Sequence, residues 1–138
     1  GMAARRAAQL PAAQRKTLAT RMRGLNRDLA AALKTGVYAT DTYNLDLEFH
    51  LSFVREASGP RLFKLHQSIK LQIERYARAY FGVLITGLSN SVAEHDALVR
   101  AIAAGEPHDA QHAAEVNWYN AAERLLRTID HHGEKGTW

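Results

Sequence analysis

The chain contains no cysteine. That excludes disulfides and thiolate metal sites, so any bound metal has to be held by imidazole, carboxylate or amide oxygen. Proline occurs only 3 times in 138 residues and β-branched residues are sparse, while Ala, Leu, Arg, Gln and Glu dominate. This composition favours helix. No apolar run approaches the roughly 18 residues of a membrane helix, and the N-terminus lacks the apolar centre of a signal peptide. A cytoplasmic protein without membrane contact is therefore expected. No helix-turn-helix, zinc-finger or RNP-like aromatic pattern is present. The net charge of +4 is too small to imply nucleic acid by itself, and the basic residues near the N-terminus read as a solvated helix surface. Repeats, low-complexity tracts and interdomain linkers are also missing. Gly1 ahead of Met2 reads as a cleavage scar before a native start.

What is there describes one domain over residues 2–132, followed by a loose Gly/Lys tail at 133–138. Hydrophobic residues make up 46% and charged residues 23%, enough to bury a core without staples. Residues 2–9 read as a short Ala/Arg-rich helix. Pro11 opens a second helix that runs to about Lys34, where Gly36 supplies a stop, with Leu18, Met22, Leu25, Leu29 and Leu33 at the helical period. Asp41 or Thr42 can cap a third helix ending at Ser58-Gly59. Pro60 suits the start of a fourth, from about Arg61 to Leu84, with Leu62, Leu65, Ile69, Ile73, Tyr76 and Tyr80 on its buried stripe. S-V-A-E at 91–94 matches a capping box for a fifth helix that ends at Gly105, and Pro107 opens the last, which runs to about Asp130. Nothing reads as a strand. The expected fold is all-α, an antiparallel bundle of about six helices.

Polar residues on the apolar stripes carry the chemistry. D-L-E-F-H at 46–50 sets Asp46 and His50 four residues apart, so both leave one face of the third helix, a stripe continued by Phe49, Phe53 and Ala57. Burying an acid and an imidazole there is costly unless each finds a partner. A direct Asp–His hydrogen bond is one such partner, and a divalent metal is the other. His95 lies on the stripe of the fifth helix with Val92, Val99 and Ile102. Asn117 sits in the middle of the last helix's stripe, among Ala110, Ala113, Ala121 and Leu125. Three helices thus each bring a candidate ligand to the bundle interior. Asp46, His50 and His95 suit zinc, iron, nickel or manganese and leave coordination positions open.

These motifs in this order resemble the C-terminal effector-binding (FCD) domain of FadR-type regulators in the GntR family. The pieces are D-L-E-F-H at 46–50, A-S-G-P-R-L at 57–62 and E-H-D-A-L-V-R-A-I-A-A-G-E at 94–106, followed by an Ala-rich final helix. The resemblance runs from about Ala3 to Thr128. It implies an all-α bundle, a homodimer, a divalent metal held by an Asp and three histidines, and a small organic acid bound beside it. Carried over position by position, the ligands fall on Asp46, His50 and His95, and the last histidine of the family falls on Asn117. An amide oxygen is a weaker ligand than imidazole, so a weak or water-substituted fourth position is expected there. The winged helix-turn-helix that precedes this domain in the family has no counterpart in the chain, so no specific DNA binding by the chain itself is expected.

Other candidates weigh less. His108 and His112 lie roughly 140–180° round the last helix from Asn117 and read as exposed. His66 reads as surface or helix contact, and His131-His132 as part of the frayed end. Arg75 and Arg78 stand close enough to the fourth helix's stripe to reach a ligand carboxylate by a bidentate bond. The expected function is metal-dependent sensing of a small carboxylate metabolite, without catalysis. Two rivals stay open at this point: a metalloenzyme with a two-His-one-carboxylate site, and a structural dimerisation module with an empty core.

Overall fold

The computed structural model describes residues 1–35, 39–84 and 88–132, with side chains described for 1–35, 41–74 and 88–131. Among these residues there are six helices and no strand: α1 (Met2–Ala8), α2 (Ala12–Thr35), α3 (Ala39–Ala57), α4 (Pro60–Leu84), α5 (Leu88–Ala104) and α6 (Pro107–His132). The all-α antiparallel bundle is thus as expected. The prolines stand where their missing N–H costs nothing. Pro60 and Pro107 open α4 and α6, and the carbonyl of Pro11 accepts the N–H of Arg15 as α2 begins. Gly105 ends α5 at a φ of +79°, a backbone that L side chains resist, and the amides of Gly105 and Glu106 close back on Ile102 and Ala101. Gly36 lies outside the described residues.

The core is drawn from five helices. Met22 and Leu18 of α2, Phe49, Phe53 and Val54 of α3, and Leu98, Val99 and Ile102 of α5 meet Ala110 and Ala114 of α6. Burying a side chain of Phe49's or Leu98's kind stabilises the fold by about 1.5–3 kcal/mol. Ala4, Ala7 and Ala8 bring α1 close against this cluster, on α3, α5 and α6. α2 packs on α3 and α5, and α5 packs on α6, so α2 is shared by α3 and α5.

Three local expectations change. The anticipated cap of the third helix, Asp41 or Thr42, lies inside it: α3 begins at Ala39, Asp41 stands in its first turn and Thr42 is fully buried. An acid in the first turn still complements the helix dipole, so its sequence position resembled a cap. The S-V-A-E capping box does not form either. α5 starts at Leu88, which leaves Ser91 buried within the helix and frees Glu94 for partners on α6. The third change concerns α4. Phe63 packs on the core, while His66, Lys70, Ile73 and Glu74 face a cavity against α6. That seating is turned by roughly 100°, about one residue, from the apolar stripe. Leu65 and Ile69 are left 55% and 48% exposed, and Leu62 is half-buried. The side chains of Tyr76 and Tyr80 lie outside the described residues.

Candidate metal centre

Asp46 and His50 stand one turn apart on α3, and α5 brings His95 to meet them from the facing helix. One ligand atom from each of Asp46, His50 and His95 can be chosen so that all lie within 4.8 Å of one another. Phe49, fully buried and next to His50 in sequence, stacks flat on the His95 ring at 3.8 Å and 13°. The two imidazoles stand nearly perpendicular, 5.0 Å apart. Aromatic packing therefore fixes both rings before any ion arrives. The direct Asp–His hydrogen bond is not made: His50 Nε2 is 3.9 Å from Asp46 Oδ2, and His50 Nδ1 is buried without a partner among the described residues.

The tautomer of His95 follows from a residue of α2 that the sequence reading passed over. Asn26 is buried, and its amide NH2 donates to the Val92 carbonyl at 3.0 Å and to Asp96 Oδ1 at 2.8 Å. Two acceptors on one side fix the amide's orientation, so Asn26 Oδ1 faces His95 Nδ1 at 3.0 Å. An oxygen there can only accept, and His95 Nδ1 must carry the proton. The lone pair of His95 is then on Nε2, which is buried, has no hydrogen-bond partner among the described residues, and lies 3.5 Å from Asp46 Oδ1. Two lone-pair donors face each other with no proton between them. A cation satisfies both, and a second-shell group that locks the ring tautomer is what metal-binding histidines usually have.

Electrostatics point the same way. Burial pushes the His50 and His95 imidazoles below the ordinary histidine range. For His95 the value is lowered to about 2, with the nearby His50 and Arg124 adding to the effect. Both rings are neutral near pH 7, the form that ligates metal. Burial raises the Asp46 carboxyl above its ordinary value, opposed by His50 and Arg124.

Asn117 is buried on α6 and lines the same cavity as Asp46 and His50. Its NH2 donates to Glu94 Oε2 at 2.7 Å. Asn120 donates to Glu94 Oε1 at 2.8 Å, and Arg124 reaches both Glu94 Oε1 at 3.3 Å and Ser91 Oγ at 3.0 Å. Burial disfavours the Glu94 carboxylate, but the hydrogen bonds from Arg124, Asn120 and Asn117 outweigh it and hold its pKa below the ordinary value. A polar network thus takes up one face of Asn117 next to the histidine cluster.

Beside the cluster is a cavity of about 460 Å³ between α3, α4, α5 and α6. Its wall carries Asp46 and His50, and Trp118, whose ring lies 5.2 Å from that of His50. His66 also lines it, half-buried, with its pKa lowered by burial and by Lys70. Trp118 went unnoticed in the sequence because it is off the apolar stripe of α6. Asn26 carried a readable signal, a polar residue between Met22 and Leu29 on an otherwise apolar face. The side chains of Arg75 and Arg78 lie outside the described residues. His108, His112 and His131 are exposed and take no part in the cluster.

An all-helical fold with a buried carboxylate–imidazole cluster opening on a cavity has the build of a ligand-binding domain. The sequence matches the FCD domain family over residues 1–129, nearly its whole length, and the chain belongs to that family. FCD domains are the C-terminal effector-binding domains of GntR regulators. No curated protein and no solved structure matches the chain.

Proposed function

We propose that residues 2–132 form one non-catalytic sensing unit working in the cytoplasm. In it Asp46, His50 and His95 hold a divalent cation and a small organic acid binds at that cation. The observation that carries this reading is the buried, partnerless Nε2 of His95 facing Asp46 Oδ1 at 3.5 Å. One carboxylate oxygen and two neutral imidazoles suit zinc, nickel, iron or manganese. Such an ion offers a Lewis-acidic centre to an anionic oxygen from the cavity. Asn117 stands by as a weak or water-substituted fourth position, its NH2 already given to Glu94. An acid in the cavity touches α3, α4 and α6 together, and sensing requires that it favour one arrangement of these helices over another. No described helix is long and apolar enough to cross a membrane.

Elemental analysis with native mass spectrometry of protein purified without a His-tag tests the metal reading. One divalent ion per chain is expected, lost on His95→Ala. A parent that takes up no ion from zinc, nickel, iron or manganese solutions ends it. We place the surface of a homodimer on the outer face of α4, where Leu65 and Ile69 stand exposed on one stripe and can meet their own copies about a two-fold axis. Light scattering should give twice the chain mass for the parent and the chain mass for Leu65→Glu. A monomeric parent removes the assignment.

A further inference from the structure

Deepening the metal-and-acid reading on which it rests, we infer that the acid bound at this site is a monocarboxylate with an apolar body, its carboxylate at the Asp46–His50–His95 end and its body along Trp118, Leu125, Leu88, Ile73 and Leu47. The cavity volume of about 460 Å³ falls within the roughly 300–1,000 Å³ of small-molecule sites. Its described wall carries both polar and apolar side chains. At one end are Asp46 and His50, with the Trp118 ring 5.2 Å from His50 and inclined to it by 41°. An anion held at the histidine end therefore has an aromatic face against its next atoms. Leucine, isoleucine and alanine side chains line the same cavity, alongside Tyr43, His66 and the paired charged groups, and Ile73 and Trp118 keep more than a third of their surface open to water. Covering that surface is favourable only for a ligand that is itself apolar there.

The charged groups described on the wall do not welcome a second carboxylate. Lys70 Nζ is paired with Glu74 Oε1 at 3.1 Å, and Arg124 is held by Glu94 and Ser91 at 3.3 and 3.0 Å. A diacid would have to pull one of these cations from its partner and leave a carboxylate facing another carboxylate in a half-buried space. A methylene chain meets no such cost. Each added methylene that enters the cavity should tighten binding by about fourfold.

Calorimetric titration of the zinc-loaded protein with acetate, butyrate, hexanoate and octanoate, and with adipate as the diacid of hexanoate's length, tests this. Affinity should climb by about fourfold per methylene until the cavity is full, and hexanoate should bind at least about tenfold more tightly than adipate. Trp118→Ala should weaken hexanoate by more than it weakens acetate, which offers the ring only a methyl. If acetate binds but affinity is flat along the series, or adipate binds more tightly than hexanoate, the apolar-body inference is overturned while acid sensing at the metal stands. If zinc binds and no acid does, acid sensing falls and this inference with it.

Discussion

Glu94 and His95 are consecutive residues of α5, and the fold treats them in opposite ways. The Glu94 carboxylate turns toward α6, where Asn117, Asn120 and Arg124 fill its lone pairs. His95 turns toward α3, where its Nδ1 is satisfied by Asn26 and its Nε2 has no partner among the described residues. Both places are polar and largely shielded from water. A satisfied network ties two helices together and asks for nothing more, whereas an orphaned buried lone pair beside a carboxylate costs stability until something positive arrives. The contrast separates structural polarity from a candidate binding site, which composition alone cannot do.

The strongest way to break this contrast is His95→Ala. In the parent, zinc at about a hundred times its dissociation constant should stabilise the fold by about 2.7 kcal/mol. The variant should lose most of that gain. Thermal melts with and without zinc check it, and an equal gain in both proteins would mean that the ion sits elsewhere. Acid should act in the same direction. His50 and His95 are depressed below their unfolded values, so as pH falls below about 6.5 the unfolded chain takes up protons that the folded chain refuses, and metal-free stability declines. Asp46, raised by burial, works the opposite way at pH above its unfolded value of 3.8. The folded protein should retain metal as pH falls from 7 to about 6, because burial already keeps the His50 and His95 nitrogens free of protons there. Loss of the ion across that window would show that these imidazoles are not held neutral by burial.

Asn26→Leu should have the next largest effect. With no acceptor at Nδ1 the His95 ring is free to place its proton on Nε2, and zinc affinity should fall by about 10–100-fold. Nitrogen-15 spectra of the metal-free protein read the tautomer directly: Nδ1–H in the parent, a mixture or Nε2–H in the variant. An unchanged tautomer would leave Asn26 as a helix tie alone.

Glu94→Gln sharpens the comparison from the other side. It should lower the stability of the metal-free protein by about 1–2 kcal/mol, through Arg124, Asn117 and Asn120, and leave zinc affinity within about threefold. A large loss of zinc would show the two regions to be one site. The smallest loss of metal-free stability is expected for Asn117→His. The imidazole should tighten zinc binding by up to about tenfold, while loss of the amide donor to Glu94 costs about 1 kcal/mol of metal-free stability. Unchanged zinc affinity in a calorimetric titration would place residue 117 outside the metal's reach.

Sequence alone determined the helices and most of the cluster. Helical period, three prolines and Gly105 are local signals, and they placed the six elements to within a few residues. Asp46, His50 and His95 were legible because a polar residue on an apolar stripe breaks a local pattern, and Asn26 broke it in the same way. Tertiary structure decided what each polar group meets. Ser91 and Glu94 fit a cap by spacing, yet α6 offers Glu94 two amides and a guanidinium, and the carboxylate goes there. The stripe of α4 shows which side is apolar but not how the helix is seated, and α4 turns His66 and Lys70 to the cavity while Leu65 stays outside. Periodicity is a property of one helix, whereas satisfaction of a buried lone pair depends on which second helix lies opposite. For that reason the ligand atoms could be nominated from the chain, and only the packing of α2, α3 and α5 could show His95 Nε2 left without a partner.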